Sequence, residues 1–290
     1  MREAVVHRGI VQSLQMKAIR DRVSELAREL SVPAVFLKGA WSEPVLYRGH
    51  ATRFVSDVDL LVPETDFTRF ADGLEGIGYR RVLYPEHRVS NDHAKEWSFR
   101  PQHQGGLTID LHRRLANPPY RLDPSPLIAR ARWYDSEDGP VLSLDATDQA
   151  IYAAAHYANH HFDLDRRHRD DIALLEKRAA IDWLRAERVA VQGGFGFALR
   201  WLRSELDSDL PHLYEHTTLD RLRVSGLRWA RTLPPTSVRS ALCWIAEGVV
   251  YASPLHPVRS ALRYAYYRAQ DRTATRQNTA PAESARGASA

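Results

Sequence analysis

Asp57 and Asp59 stand two residues apart inside the apolar run DVDLLV, and a third aspartate, Asp110, interrupts a second such run, LTIDLH. In an extended strand residues two apart leave the same face, so the first two carboxylates stand side by side. Like charges at that range repel unless something positive lies between them. A divalent metal is the natural partner. Magnesium takes hard oxygen ligands, keeps waters and commonly joins a few carboxylates to substrate phosphates, and manganese suits the same donors. If LTIDLH pairs beside DVDLLV, the three carboxylates converge. Such a triad fits two-metal chemistry at phosphorus, with ions about 3.5–4 Å apart serving the attacking and departing oxygens. Removing Asp57 or Asp59 should then stop turnover at little cost in stability, because mutual repulsion is relieved.

Upstream, LKGA ends a short apolar run with Lys38 and Gly39. A glycine directly after a strand lets backbone amides approach a phosphate, because no Cβ intervenes. Lys38 adds a point charge, and lysine is otherwise scarce here, at Lys17, Lys95 and Lys177 alone.

These residues need elements to position them. Ile19, Val23, Leu26, Ala27 and Leu30 recur at helical spacing, and Pro33 marks the boundary before the strand-like AVFL. After DVDLLV, the residues Phe67, Phe70, Ala71, Leu74 and Ile77 share one helical face, with Gly78 suited to a left-handed stop. Tyr79 starts another extended segment. EWSF and LTIDLH flank QHQGG, whose glycines permit a hairpin. The predicted order is helix, strand, strand, helix, strand, hairpin. Turn formers such as NPPYRLDPSP and SEDGP place a linker at 121–147 between a catalytic domain, 1–120, and an α-helical acceptor or substrate domain, 148–270. Residues 271–290 lack large apolar side chains and read as a disordered tail.

With 290 residues and 44% hydrophobic content, the chain can bury a substantial core. A net charge of +4 is a mild basic excess that favours acidic partners without choosing one. The single cysteine, Cys243, excludes an intramolecular disulfide and a cysteine-based zinc cluster. No apolar run approaches the roughly 20 residues that span a bilayer, and the first residues lack the apolar stretch of a signal peptide. The expectation is a cytoplasmic protein with no membrane partner.

Taken together, LKGA, LYRGHATRFVSDVDLLV, GIGY and IDLHRRL resemble the uncharacterised nucleotidyltransferase family of the DNA polymerase β-like superfamily. The likeness runs over about residues 30–200 and includes AHYANHH and RDDIALL in the helical half. It implies an α+β fold, a small mixed β-sheet flanked by helices and followed by an α-helical domain. It implies that Asp57, Asp59 and Asp110 hold two magnesium ions, and that Gly39 and Ala40 lie against the triphosphate of an NTP substrate. Many superfamily members carry Gly-Ser or Gly-Gly where this chain has Gly39-Ala40, so a hydroxyl contact from the second position is missing while backbone contacts survive. By the same resemblance Arg53 and Ser56 touch phosphate, with Arg53 equally suited to a structural ion pair.

Other candidates carry competing readings. His156 and His160 stack on one helical face and suit hydrogen bonding, with Asp171 as a partner, better than a metal. His112 shares the face of Asp110, as a substrate contact or as a partner of the carboxylates. RRHRDD, 166–171, reads as a solvated turn and helix start. In VRSALRYAYYRAQDR, Arg259, Arg263 and Arg268 interleave with Tyr264, Tyr266 and Tyr267, which leaves nucleic acid as a less favoured partner. The function expected is transfer of NMP from an NTP to a hydroxyl of a small molecule, sugar, peptide, protein or RNA acceptor. Phosphoryl transfer at the same site and a non-catalytic, antitoxin-like binding role are the alternatives.

Overall fold

The structure of the protein is a computed structural model that describes residues 2–48, 53–82, 95–103, 106–117, 120–159 and 166–206, with 225, 226 and 229. His160, the Arg/Tyr-rich segment at 258–272 and the tail at 271–290 lie outside the described residues.

Helix α1 (Arg2–Glu29) runs into β1 (Val35–Leu37), and Ser31 takes the left-handed conformation, φ 53°, where the chain turns. The apolar face of α1, from Met16 through Ile19 and Val23 to Leu26, is buried. Two strands in succession were expected next, yet a helix intervenes: α2 (Lys38–Leu46) precedes β2 (Asp57–Leu61). Its sequence hides it. Gly39 and Pro44 have poor helix propensity, and the near-complete burial of Gly39 to Pro44 erases the polar face that would reveal a helical period.

A 3₁₀ turn at Glu64–Asp66 leads into α3 (Phe67–Gly76), which buries Phe67, Phe70, Ala71 and Leu74 as its spacing predicts. Gly78 adopts φ 91°, the left-handed stop expected of it. Strands β3 (Tyr79–Val82), β4 (Glu96–Pro101) and β5 (Thr108–His112) follow, with β4 and β5 antiparallel as the paired glycines suggested.

The stretch expected to be a linker is structured. It holds α4 (Pro124–Ala129), β6 (Arg132–Tyr134) and β7 (Val141–Ser143), and β7 pairs in parallel with β1 through Phe36 and Ser143. Residues 121–147 therefore complete one flank of the sheet. Each strand is only three residues long, too short to show alternation between its flanking turn formers.

Among the described residues the sheet has seven strands in the order β3-β4-β5-β2-β1-β7-β6 and mixes parallel with antiparallel pairs. Helices α5 (Ala146–Asn159), α6 (Arg166–Glu176), α7 (Trp183–Gln192) and α8 (Gly196–Glu205) complete an α+β architecture. Alanine-rich α5 is buried nearly throughout and packs against the other three. α6 also packs on α2, which joins the helical half to the residue run that leaves β1. Among the described residues no helix is long and apolar enough to cross a membrane.

Candidate active site

Parallel pairing of β2 with β5 sets Asp59 directly beside Asp110, and Asp57 lies two residues before Asp59 on the same face. One carboxylate oxygen from each of the three lies within 4.8 Å of the other two. The burial of the intervening residues explains this alternation. Val58, Leu60, Ile109 and Leu111 are fully buried on the opposite face, so hydrophobic packing fixes the register that aims the acids outward.

Asp59 is the most enclosed of the three, 2% exposed. Lys38 Nζ donates to its Oδ1 at 2.7 Å, and His112 Nε2 stands 2.9 Å from the same oxygen. Burial works against charge on Asp59, but the Lys38 ammonium and the His112 ring outweigh it and hold the carboxyl well below its usual range. Lys38 answers in kind: burial opposes its charge, and Asp59 overcomes that and raises its pKa. On the other side of the ring, His112 Nδ1 lies 2.9 Å from Glu96 Oε2, short of hydrogen-bond alignment. Burial disfavours the imidazolium, yet Asp59 and Glu96 raise its pKa above the ordinary value.

Asp57 and Asp110 shift the other way. Burial, then the charge of Asp59, raises Asp57 despite a hydrogen bond from Ser56 Oγ at 2.9 Å. For Asp110 burial again leads, and it outweighs the 2.6 Å hydrogen bond donated by Ser98 Oγ. The cluster thus carries two acids whose ionisation is penalised while a third is neutralised by Lys38 and His112. Closely spaced hard oxygens with that excess of negative charge fit a divalent cation such as magnesium.

The acids line a pocket of about 370 Å³ with Lys38, Gly39, Arg53, Val55, Ser56, Lys95, Glu96, His156, Arg167 and His168. Lys38 has φ 46°, an uncommon conformation for a residue with a side chain, where β1 turns into α2. Gly39 is required by its neighbours: a Cβ there would lie 2.9 and 3.0 Å from the Val55 methyls and 3.1 Å from Arg53 Nη1. Ala40 is fully buried behind it and does not line the pocket.

Arg53 reaches the pocket wall but is committed to an ion pair. Its Nε and Nη2 donate to Asp171 of α6 at 2.8–3.0 Å, and Ser42 Oγ donates to the same carboxylate at 3.0 Å. Asp171 is therefore taken by Arg53 and Ser42, where a histidine partner was expected. RRHRDD is only partly a solvated helix start, since Arg167 and His168 face the pocket. His156 joins them from α5, its ring 5.0 Å from that of His168.

Sequence reasoning missed Ser98, Glu96 and the Arg167–His168 pair. The hairpin pattern could have found the first two, because the positions facing Asp110 and His112 across a β4–β5 ladder are Ser98 and Glu96. The others depend on how α6 packs, which no local pattern encodes.

A model of the family described as uncharacterised nucleotidyltransferase matches residues 6–201. Among solved structures, the chain is similar to the solution structure of the antibiotic-resistance factor ANT(2'')-Ia, with 17% identity over 68% of this chain and 96% of that chain and a TM-score of 0.43. It is similar to the crystal structure of ANT(2")-Ia in complex with adenylyl-2"-tobramycin, at 18% identity, 65% and 97% coverage and a TM-score of 0.40. The lincomycin-bound lincosamide antibiotic adenylyltransferase LnuA gives 16% identity, 54% and 94% coverage and a TM-score of 0.39. No curated protein matches the sequence.

Proposed function

Because the chain belongs to the uncharacterised nucleotidyltransferase family, we propose that it transfers a nucleoside monophosphate from an NTP to the hydroxyl of an acceptor and releases pyrophosphate. The observation that carries this reading is the meeting of Asp57, Asp59 and Asp110 in one pocket. Asp57, Asp59 and Asp110 would hold two magnesium ions, with manganese as a substitute. When bound, the ions supply charge stabilisation to the oxygens around the α-phosphorus.

The chain's own residues do the rest. Lys38 and the backbone at Gly39 present positive charge and N–H groups toward the phosphates from the start of α2, which has no side-chain cap on its first N–H groups. Ser56 donates to Asp57 and lines the same pocket, from which its hydroxyl would contact phosphate. Asp110, the member of the triad on β5, takes the acceptor's hydroxyl proton as the new oxygen–phosphorus bond forms and the bond to the β-phosphate oxygen breaks. His112 and Ser98 hold Asp59 and Asp110 in place. His156, Arg167 and His168 make the helical half one wall of the substrate pocket, and Arg53 supports that wall through Asp171. The setting we propose is cytoplasmic.

The test is incubation with each α-labelled triphosphate, magnesium, cell extract and a panel of hydroxyl compounds, beside an Asp57→Ala control. Label from the α-position should enter product and vanish in the control. Product labelled only from γ-labelled ATP would replace this reading with phosphoryl transfer.

A further inference from the structure

The face that bears the carboxylates continues past Asp110 across two more strands. Ser98 of β4 stands opposite Asp110, and Arg100 lies two residues farther along β4 on the same face. Arg100 is thus a diagonal neighbour of Asp110, about 7–8 Å away. Arg80 of β3 is directly opposite Arg100 in the β3–β4 ladder. Both arginines are exposed, and among the described residues neither guanidinium group has a hydrogen bond, an ion pair or a ring contact.

Like charges directly opposite each other in an antiparallel pair cost stability. A charge on an edge strand blunts unwanted pairing, and that accounts for Arg80, because β3 is the end strand of the sheet among the described residues. It does not account for Arg100, since β4 lies between β3 and β5. An anion between the two guanidinium groups would reverse the sign of the interaction, each fork donating charge-assisted hydrogen bonds. A phosphate monoester, at about −1.5 to −2 near neutral pH, matches two guanidinium charges.

Position says to what such a phosphate belongs. Lys38 and Gly39 follow β1 on one side of the acids, while β4 and β3 extend on the other. A triphosphate seated at Lys38 and Gly39 leaves the side beyond Asp110 to the acceptor, because attacking and leaving oxygens lie in line through the phosphorus. We infer that Arg80 and Arg100 bind a phosphate group on the acceptor, which makes the acceptor class a phosphorylated hydroxyl compound. Assigning the phosphate to the acceptor rests on the nucleotidyltransferase reading; the anion site itself does not.

Thermal unfolding of the full chain tests the site without turnover. Inorganic phosphate, compared with sodium chloride at equal ionic strength, should raise Tm more in the native protein than in Arg80→Ala/Arg100→Ala. Arg80→Glu should raise Tm without phosphate, by giving Arg100 an opposite partner, and should lose the phosphate increment. Equal phosphate increments in all three proteins would overturn the inference. A second arm uses α-labelled ATP with glycerol against glycerol 3-phosphate and glucose against glucose 6-phosphate. The phosphorylated member should be labelled about tenfold or more over its neutral counterpart, a preference that the double alanine variant loses. Equal labelling within the pairs would refute the acceptor assignment. Absence of label from every acceptor counts against nucleotidyl transfer alone, since the phosphate increment is read independently.

Discussion

Arg53 and Asp171 are joined, across 118 positions of sequence, by three hydrogen bonds of 2.8–3.0 Å, with both side chains almost wholly buried. The pair fastens α6 to the segment that enters β2, so the helix that carries Arg167 and His168 is tied to the strand that carries Asp57 and Asp59. Removing one member of a buried pair leaves the other charge uncompensated, at about 3–5 kcal/mol. Arg53→Ala should therefore lower unfolding free energy by about that amount in chemical denaturation. Arg53→Lys should fail to restore it, because an ammonium cannot reproduce the fork. A stability loss below about 1 kcal/mol would show that the two halves hold together without this clamp.

Asp57 and Asp59, expected from sequence to be equally dispensable for stability, should behave differently. Asp57 is raised by burial and by its neighbour, so Asp57→Ala removes a strained charge and should leave Tm unchanged or higher without metal. Asp59 is itself buried and is the counter-ion of half-buried Lys38 and buried His112, so Asp59→Ala should cost about 3–5 kcal/mol. Both substitutions should abolish transfer. Equal Tm values for the two variants in the presence of a chelator would contradict this division of labour.

Magnesium should stabilise the native chain and not Asp57→Ala or Asp110→Asn. A ligand bound only by the folded state adds about 2.7 kcal/mol at a hundred times its Kd. Titrating magnesium into the chelated protein while following Tm measures this directly. A native Tm indifferent to magnesium would deny the acids their role as ligands.

At Gly39 the constraint is a neighbour rather than a phosphate. Gly39→Ala drives a methyl into Val55 and should destabilise by about 1–3 kcal/mol. Val55→Ala removes the obstructing methyls, so the double variant should cost less than the sum of the singles. Strict additivity in denaturant melts would mean that Val55 is not what demands the glycine.

Asp145 supplies a pH-dependent contribution remote from the three acids. Its Oδ1 accepts from the Asp148 N–H at 2.7 Å, capping α5, and Arg185 Nη2 donates to both of its oxygens. Burial pushes its pKa up, but the Arg185 hydrogen bond and the cap outweigh burial and depress it. The stabilisation is thus complete above the unfolded value of about 3.9 and disappears as pH falls through the lower folded value. Asparagine caps as well as aspartate, so Asp145→Asn should lower Tm near neutrality and flatten its fall below about pH 4. Parallel Tm–pH curves for native and variant would refute the linkage.

Much of this was written in local pattern. Period-two alternation in DVDLLV and LTIDLH determined that Asp57, Asp59 and Asp110 share a face once those strands pair, and the spacing of Phe67, Phe70 and Leu74 determined α3. Short or fully buried elements left no such trace: α2 has no polar face, and β6 and β7 have three residues each. Only tertiary structure decided that Lys38 and His112 neutralise Asp59, that Arg53 turns to Asp171, and that Arg80 and Arg100 confront each other beside the site. The reason is physical. Periodicity reports which face a side chain leaves, whereas its partner depends on which strand or helix the hydrophobic core brings alongside, and that is settled by packing over the whole chain.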